Sequence, residues 1–131
     1  MAEACPHKAA VSPLDILIAT PDPDLAHALR AAIKALGHRG FWVMSGGEAA
    51  LSATARRFDL ILLDADTRDD AFSAARRIRA LPDTQGSAPI AAIAARADQA
   101  LRDRAAEAGL DAVLEKERTP ALLGQTIALL T

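Results

Sequence analysis

Short apolar runs alternate along this chain with longer segments in which apolar residues recur at the period of a helix. Each apolar run predicts a β-strand, and together the runs cover residues 14–20, 40–44, 59–64, 89–94 and 111–115. The third run, DLILLD, is apolar between its two aspartates, as expected of a strand covered on both faces. The alternation predicts five βα units with right-handed crossovers in one open parallel sheet.

The segment after the first run predicts the clearest helix. Its apolar residues fall at i, i+3, i+4, i+7, i+8 and i+11 and form one stripe: Leu25, Ala28, Leu29, Ala32, Ile33 and Leu36. Gly37 is expected to end this helix. Ser45 and Glu48, three residues apart, form a capping-box pattern that predicts the start of a second helix, which should extend to about Arg57.

Three further helices are predicted in the second half of the chain. The third should run over about 70–81 and is followed by a loop at 82–89, and the fourth should run over about 98–108, where Gly109 ends it. Thr119 is expected to cap the last helix, with a proline at its first position and its end at residue 130. Three arginines of the third helix are expected to point mostly toward solvent: Arg76, Arg77 and Arg79.

Composition and charge narrow the class of protein. A chain of 131 residues with 51% apolar and 24% charged residues fits one globular domain with one core. The formal net charge of -2 gives no overall reason to expect nucleic acid or a membrane surface as partner. No apolar stretch approaches the roughly 20 residues that a membrane helix needs.

The first 13 residues lack the alternation of apolar runs and helical segments that begins at residue 14. They are expected to form a flexible leader, since they lack the long apolar core of a secretory signal, and residues 14–131 are expected to form the domain. The single cysteine, Cys5, cannot form an internal disulfide, and Cys5 with His7 supplies too few ligands for zinc. These features favour a cytoplasmic protein.

The candidate chemistry lies in LILLDADT, residues 60–67, where an apolar strand ends on Asp64 and is followed by Asp66 and Thr67. In open parallel sheets, ligands bind beyond the carboxyl ends of the strands. A carboxylate at such a position can attack a phosphoryl group, and an ammonium beside it can neutralise the transferred charge. Asp64 is therefore the first candidate for a functional residue.

From residue 14 to 131 the chain resembles the receiver domain of two-component response regulators. Five stretches carry the resemblance, in the family's order: ILIATPDPDL, FDLILLDAD, RRIRALPD, APIAAIAARAD and AEAGLDAVLEK. It implies a flavodoxin-like (CheY-like) three-layer α/β sandwich, with a five-stranded parallel sheet of order 2-1-3-4-5 and five helices. It also implies that Asp64 matches the aspartate that accepts a phosphoryl group from a histidine kinase, and that Lys116 matches the lysine beside it.

The chain departs from the family at the other positions of that site. The acidic pair that holds Mg²⁺ in the family matches Thr20 and Pro21, and the hydroxyl residue that ends strand four matches Ala94. The aromatic residue of strand five matches Val113. Mg²⁺ requires near-octahedral oxygen ligation, so we expect no bound cofactor. The remaining candidate ligands are weak ones: Asp22, Asp64 and Asp66.

These acidic residues also have structural explanations. Asp22, directly before a proline, is predicted to cap the first helix. Asp66 belongs to an acidic turn that is expected to be solvated. Asp64 and Lys116 would pair and hold the ends of strands three and five together.

We therefore expect an atypical receiver, or pseudo-receiver, that is not an enzyme and acts as a docking or regulatory module. Its expected partners are a histidine kinase, a phosphotransfer protein or an output domain, and it could form a homodimer. The resemblance implies that the interaction surface is formed by helix four, strand five and helix five. The candidate residues on it are Leu101, Arg102, Arg104, Glu107, Glu115, Arg118 and Leu122.

Three alternatives remain open on the sequence. Asp64 could still accept a phosphoryl group through a non-standard site. The LILLDADT stretch also resembles the first motif of haloacid-dehalogenase-type phosphatases, in which Asp64 would be the nucleophile and Asp66 the general acid and base. The chain could also be a sensor of a phosphorylated small molecule, because arginine forks bind phosphate well. The arginines considered for that role are Arg76, Arg77, Arg79 and Arg96.

Overall fold

The computed structural model describes residues 12–66 and 71–131, and within them strands and helices alternate. The strands are β1 (Asp15–Ala19), β2 (Arg39–Val43), β3 (Leu60–Asp64), β4 (Ile90–Ala94) and β5 (Ala112–Glu115). The helices are α1 (Pro23–Ala35), α2 (Gly46–Ala55), α3 (Ala71–Arg79), α4 (Gln99–Ala108) and α5 (Thr119–Leu130). A 3₁₀ helix (Asp83–Ser87) lies within the segment predicted to be a loop.

The five strands form one parallel sheet in the order β2-β1-β3-β4-β5, which confirms the predicted fold. The register pairs Ala19 of β1 with Leu63 of β3, and Asp64 with Ile93 of β4. Ala94, the last residue of β4, pairs with Glu115, the last residue of β5. The residues that follow β1, β3, β4 and β5 therefore meet at one edge of the sheet.

Alternate residues of the central strands belong to two cores, one on each face of the sheet. In β1, Ile16 and Ile18 pack with α1 and α5, whereas Leu17 and Ala19 pack with α2, α3 and α4. The same alternation continues along β3 and β4, because successive side chains of a strand point to opposite faces. The covering of both faces explains why these strands are apolar throughout.

The ends of most helices agree with the sequence pattern. The Asp22 carboxylate accepts hydrogen bonds from two amides in the first turn of α1, and the Ser45 hydroxyl accepts one from Glu48 N. Gly37 and Gly109 follow α1 and α4 with φ of 87° and 91°, a left-handed conformation that suits glycine. The predicted start of the third helix near Asp70 lies outside the described residues.

Helix α5 begins differently from the prediction. Its N-cap is Arg118, which makes no capping bond through its side chain. Thr119 is instead the first helical residue, and its buried hydroxyl donates to the Glu115 carbonyl at 2.6 Å. The prediction that Thr119 caps the helix was wrong, because Thr119 lies within the helix and its hydroxyl donates to a carbonyl one turn earlier, whereas a capping hydroxyl accepts from an amide of the first turn.

Arg79 does not point toward solvent, so the prediction for this residue was also wrong. Its guanidinium donates to the carbonyls of Gly109 at 2.8 Å, Gly86 at 2.9 Å and Ala88 at 2.5 Å, and it pairs with Asp111 at 2.9 Å. A guanidinium carries five donors and can satisfy several loop carbonyls at once. Arg79 therefore joins the end of α3 to the segments that precede β4 and β5.

None of the helices in the described part of the chain has the length and apolar character needed to cross a bilayer.

Candidate functional site

Asp64 lies at the end of β3 and is only 5% exposed. At least three donors contact its carboxylate. The Thr20 hydroxyl donates to Oδ2 at 2.6 Å, the Asp66 amide donates to Oδ1 at 2.9 Å, and Lys116 Nζ lies 3.1 Å from Oδ1. A buried carboxylate is stable only when it is paired and hydrogen-bonded, and these contacts supply both conditions. They come from the ends of β1, β3 and β5, as the strand register requires.

Asp66 is a second member of this cluster. Its Oδ2 lies 3.1 Å from Lys116 Nζ and accepts a hydrogen bond from Ala95 N at 2.6 Å. The prediction that Asp66 is simply a solvated turn residue was wrong, because the turn after β3 brings it against the residues that follow β4 and β5. Asp64, Asp66, Lys116 and Thr20 are called the strand-end cluster below.

Lys116 lies between the two carboxylates, and its side chain is 25% exposed. Its backbone amide donates to the Ala94 carbonyl at 2.9 Å, which fixes the start of the side chain beside β4. Burial lowers the pKa of the Lys116 amine, but the hydrogen bonds and charges of Asp64 and Asp66 raise it by more, and the net pKa lies above the ordinary value. The ammonium therefore balances one of the two carboxylate charges of this site.

Thr20 has a role that sequence reasoning missed. Its hydroxyl is buried, donates to Asp64 and accepts a hydrogen bond from the Asp22 amide at 3.1 Å. Its carbonyl accepts a hydrogen bond from Trp42 Nε1 at 2.8 Å. The sequence analysis treated Thr20 only as a position without a metal ligand. The parallel register of β1 and β3 was the signal that could have placed its hydroxyl beside Asp64.

Among the described residues, the oxygen ligands around Asp64 do not fit a bound Mg²⁺ ion. Pro21 offers no side-chain ligand, and the Asp22 carboxylate is used as the cap of α1, accepting from Asp24 N at 3.0 Å. The carboxylates of the strand-end cluster are already bridged by an ammonium. Within residues 12–66 and 71–131, no group of three or more His, Cys, Asp or Glu side chains is arranged to hold a metal ion. Mg²⁺ needs several oxygen ligands in near-octahedral geometry.

The other two positions at which the chain departs from the family, Ala94 and Val113, hold apolar side chains. Ala94 ends β4 and is fully buried, so this strand end presents a methyl group where the resemblance implies a hydroxyl. Val113 is partly buried in β5 and packs against the core on the α2, α3 and α4 side of the sheet. It also lines a surface cleft of about 370 Å³ between β5 and α5.

The seven residues predicted for the interaction surface lie in two separate clefts and on the exposed face of α4. Four of them line the cleft beside Val113: Arg102, Glu115, Arg118 and Leu122. Leu101 is partly buried against the core, and the Arg104 guanidinium lies 4.6 Å from the centre of the Phe72 ring. Leu101 and Arg104 line a separate cleft of about 360 Å³ beside Asp66, and Glu107 is exposed on α4.

Comparisons with known proteins agree with this geometry. Residues 16–128 match the family model described as the response regulator receiver domain. The receiver domain of a sensor histidine kinase from Pseudomonas aeruginosa, solved with a magnesium ion in its active-site cleft, is 31% identical. The match covers 91% of this chain and 98% of that one, with a TM-score of 0.81. No curated protein matches the chain significantly.

Two less similar structures share the fold. The receiver domain of a histidine kinase from Syntrophus aciditrophicus is 24% identical, with a TM-score of 0.77 and coverage of 89% of both chains. The chemotaxis response regulator CheY4 of Vibrio cholerae is 18% identical, with a TM-score of 0.82 and coverage of 92% of this chain and 100% of that one. At these identities the likeness shows the architecture alone.

Proposed function

The chain belongs to the response regulator receiver family of two-component signalling, and from that premise we propose that it is a pseudo-receiver. In this proposal the domain acts by docking to a histidine kinase, a phosphotransfer protein or an output domain. It does not operate a Mg²⁺-dependent phosphorylation switch at Asp64, and it has no catalytic turnover. The family assignment favours this over the dehalogenase-type phosphatase that LILLDADT also resembles.

One observation carries the proposal: the ammonium of Lys116 lies 3.1 Å from both Asp64 and Asp66. One of the two carboxylate charges that would attract a metal ion is therefore balanced from within the chain. Thr20 adds a 2.6 Å hydrogen bond to the same carboxylate. Removing these contacts to admit a hydrated divalent ion would cost free energy that the few remaining oxygen ligands do not return.

The docking part of the proposal is supported by the outer face of α5. This helix contains no charged residue from Thr119 to Leu130, and Leu122 and Leu129 are 40% and 83% exposed. Apolar residues at i and i+7 lie on the same helix face. Beside this uncharged face, Arg102, Glu115 and Arg118 surround the cleft with an apolar floor at Val113. An apolar centre with a charged rim is typical of surfaces that bind proteins.

The alternative is that Asp64 does accept a phosphoryl group. The Pseudomonas aeruginosa receiver domain, with its magnesium ion, is the observation that supports it. In that case Lys116 would shift from pairing Asp64 to pairing the phosphoryl oxygens, and the metal would need ligands other than those of the strand-end cluster. The two functions predict different responses to metal, so a single titration separates them.

The test is an amide NMR titration of the full chain with Mg²⁺ and then with beryllofluoride, a phosphoryl mimic that binds the acceptor aspartate. We expect no saturable shifts at Asp64, Asp66 or Lys116 at millimolar Mg²⁺, because the ammonium already occupies the space between the carboxylates. Saturable shifts that begin at Asp64 and spread to α4 would contradict the pseudo-receiver and establish the phosphoacceptor.

The docking prediction concerns the exposed leucine at the cleft. With a kinase, phosphotransfer protein or output domain that copurifies with the wild-type chain, we expect Leu122→Glu to raise Kd by about tenfold or more, as loss of a central apolar contact does. Asp64→Asn should leave Kd unchanged, because binding does not depend on phosphorylation. Isothermal titration calorimetry measures both variants.

Leu51 provides a matched control for this experiment, since it is an exposed leucine on α2, which packs on the opposite face of the sheet from α5. Leu51→Glu introduces the same charge and should not change Kd. Equal loss of binding in the two glutamate variants would mean that the α5 face is not the docking surface.

A further inference from the structure

A groove of about 480 Å³ lies between α1 and the edge strand β2. Strands β2 and β5 form opposite edges of the sheet, so this groove is separate from the surface formed by α4, β5 and α5. The residues that line it include three cationic side chains and two imidazoles: His27, Arg30, Ala31, Lys34, His38, Arg39 and Gly40. It is called the α1–β2 groove below.

The charge in this groove is positive, although the whole chain has a formal net charge of -2. Arg39 Nε donates to Asp15 at 2.7 Å, and Asp15 is shared with Arg56. Arg30 and Lys34 are exposed, and none of the carboxylates in the described segments forms an ion pair with them. Positive charge concentrated in a concave surface attracts anions and raises their local concentration.

The two imidazoles of the groove are held in place by contacts with the fold. His38 Nδ1 accepts a hydrogen bond from the Leu14 amide at 3.0 Å, so the neutral ring carries its proton on Nε2, where it can donate to a ligand. The His27 ring packs edge-on against Trp42, with 5.6 Å between ring centres. The donors of the groove are therefore partly preorganised, which lowers the entropic cost of binding.

Gly40 leaves room for one of the cations. A β-carbon at this position would lie 3.3 Å from Arg30 Cγ and 3.4 Å from Ile33 Cδ1, tighter than ordinary van der Waals contact. Because glycine has no side chain, the aliphatic stem of Arg30 can lie against β2. An alanine at position 40 would require the Arg30 stem to shift by a few tenths of an ångström, without changing the charge of the groove.

We propose that the α1–β2 groove binds a small molecule that carries adjacent phosphoryl groups. Arginine forks and a fixed imidazole donor match the oxygens of such a group, and the volume of the groove is that of a small-molecule site. The groove is shallow, and its cations line a volume of about 480 Å³, so a compact polyanion can contact several of them at once. The arginines considered from sequence for this role lie elsewhere, on α3 and after β4.

The experiment uses the full chain and inorganic pyrophosphate as the probe, in metal-free buffer of about 0.15 M ionic strength, where charges farther apart than about 8 Å are screened. Amide NMR should give saturable shifts at His27, Arg30, Lys34 and Gly40. The variant Arg30→Gln with Lys34→Gln should weaken binding about tenfold or more, since it removes two charge-assisted contacts. Gly40→Ala should weaken binding while net charge stays unchanged.

Arg76→Gln with Arg77→Gln is the matched control, because it removes the same charge from two exposed arginines of α3. It should leave the pyrophosphate Kd unchanged. Equal weakening in both double variants would overturn the proposal, because it would show attraction to overall charge alone. Tighter binding of deca-glutamate than of pyrophosphate at the groove, or shifts that do not saturate, would overturn it as well.

Discussion

We expect Lys116→Met to lower the free energy of unfolding by about 3 kcal/mol, the low end of the cost of breaking a buried ion pair. Methionine preserves most of the side-chain volume and removes the ammonium, so the carboxylate of Asp64 stays buried and loses this ion pair. The value is at the low end because the Lys116 side chain is a quarter exposed and water partly screens the pair. Urea unfolding of wild type and variant at neutral pH measures the difference.

A double variant distinguishes the loss of the ion pair from the loss of packing. Asp64→Asn added to Lys116→Met removes the carboxylate charge. The single amide oxygen can still accept from Asp66 N, while the amide NH₂ can donate to the Thr20 hydroxyl. The double variant should therefore be more stable than Lys116→Met alone, a non-additivity that identifies direct coupling. A cost below about 0.5 kcal/mol for Lys116→Met, as for a surface pair, would mean that the strand-end cluster is open to solvent.

The pH dependence of stability gives an independent check on the same pair. The pKa of Lys116 is raised in the folded chain. Its stabilising contribution is thus fully present below the unfolded pKa of about 10.4 and is lost as pH rises through the higher folded value. The stability difference between wild type and Lys116→Met should shrink in that alkaline range.

The fold could be predicted because its signals are local. The apolar runs of β1, β3 and β4 are covered on both faces, and Asp22, Ser45 and Gly109 mark helix ends through their own hydrogen bonds or φ angles. The errors at Arg79 and Asp66 occurred because each side chain found a partner distant in sequence. Arg79 satisfies carbonyls up to 30 residues away, and no periodicity along one helix can reveal such a partner.

The same reason limits what the sequence could say about the site. Asp64 and Lys116 could be placed together, because the resemblance to receiver domains puts both at one site, at the carboxyl ends of β3 and β5. Thr20 and Asp66 could not be assigned, since their contacts depend on where a hydroxyl and a turn carboxylate point. The structure gives Thr20 a second property. It lacks the carboxylate that would bind a metal, and its hydroxyl donates a hydrogen bond to Asp64.

Restoring an acidic pair should make the stability of this chain depend on Mg²⁺. In the variant Thr20→Asp with Pro21→Asp, the carboxylate at position 20 replaces a hydroxyl 2.6 Å from Asp64. Like charges at such a distance repel, so we expect the metal-free variant to lose about 3 kcal/mol of stability. Mg²⁺ would relieve the repulsion, and at 100 times its Kd it would return about 2.7 kcal/mol. Thermal or urea unfolding with and without Mg²⁺ measures this.

The control variant, Thr20→Asn with Pro21→Asn, has the same shape without the charge, and neither it nor wild type should respond to Mg²⁺. If the aspartate pair is stabilised by Mg²⁺ and then binds beryllofluoride, two residues separate this chain from a metal-dependent receiver. If the aspartate pair is insensitive to Mg²⁺, the acidic pair is not the missing element. The ammonium of Lys116, bridging Asp64 and Asp66, would then exclude the metal by itself. Lys116→Met added to the aspartate pair would decide that case, because removal of the ammonium should make the site responsive to Mg²⁺.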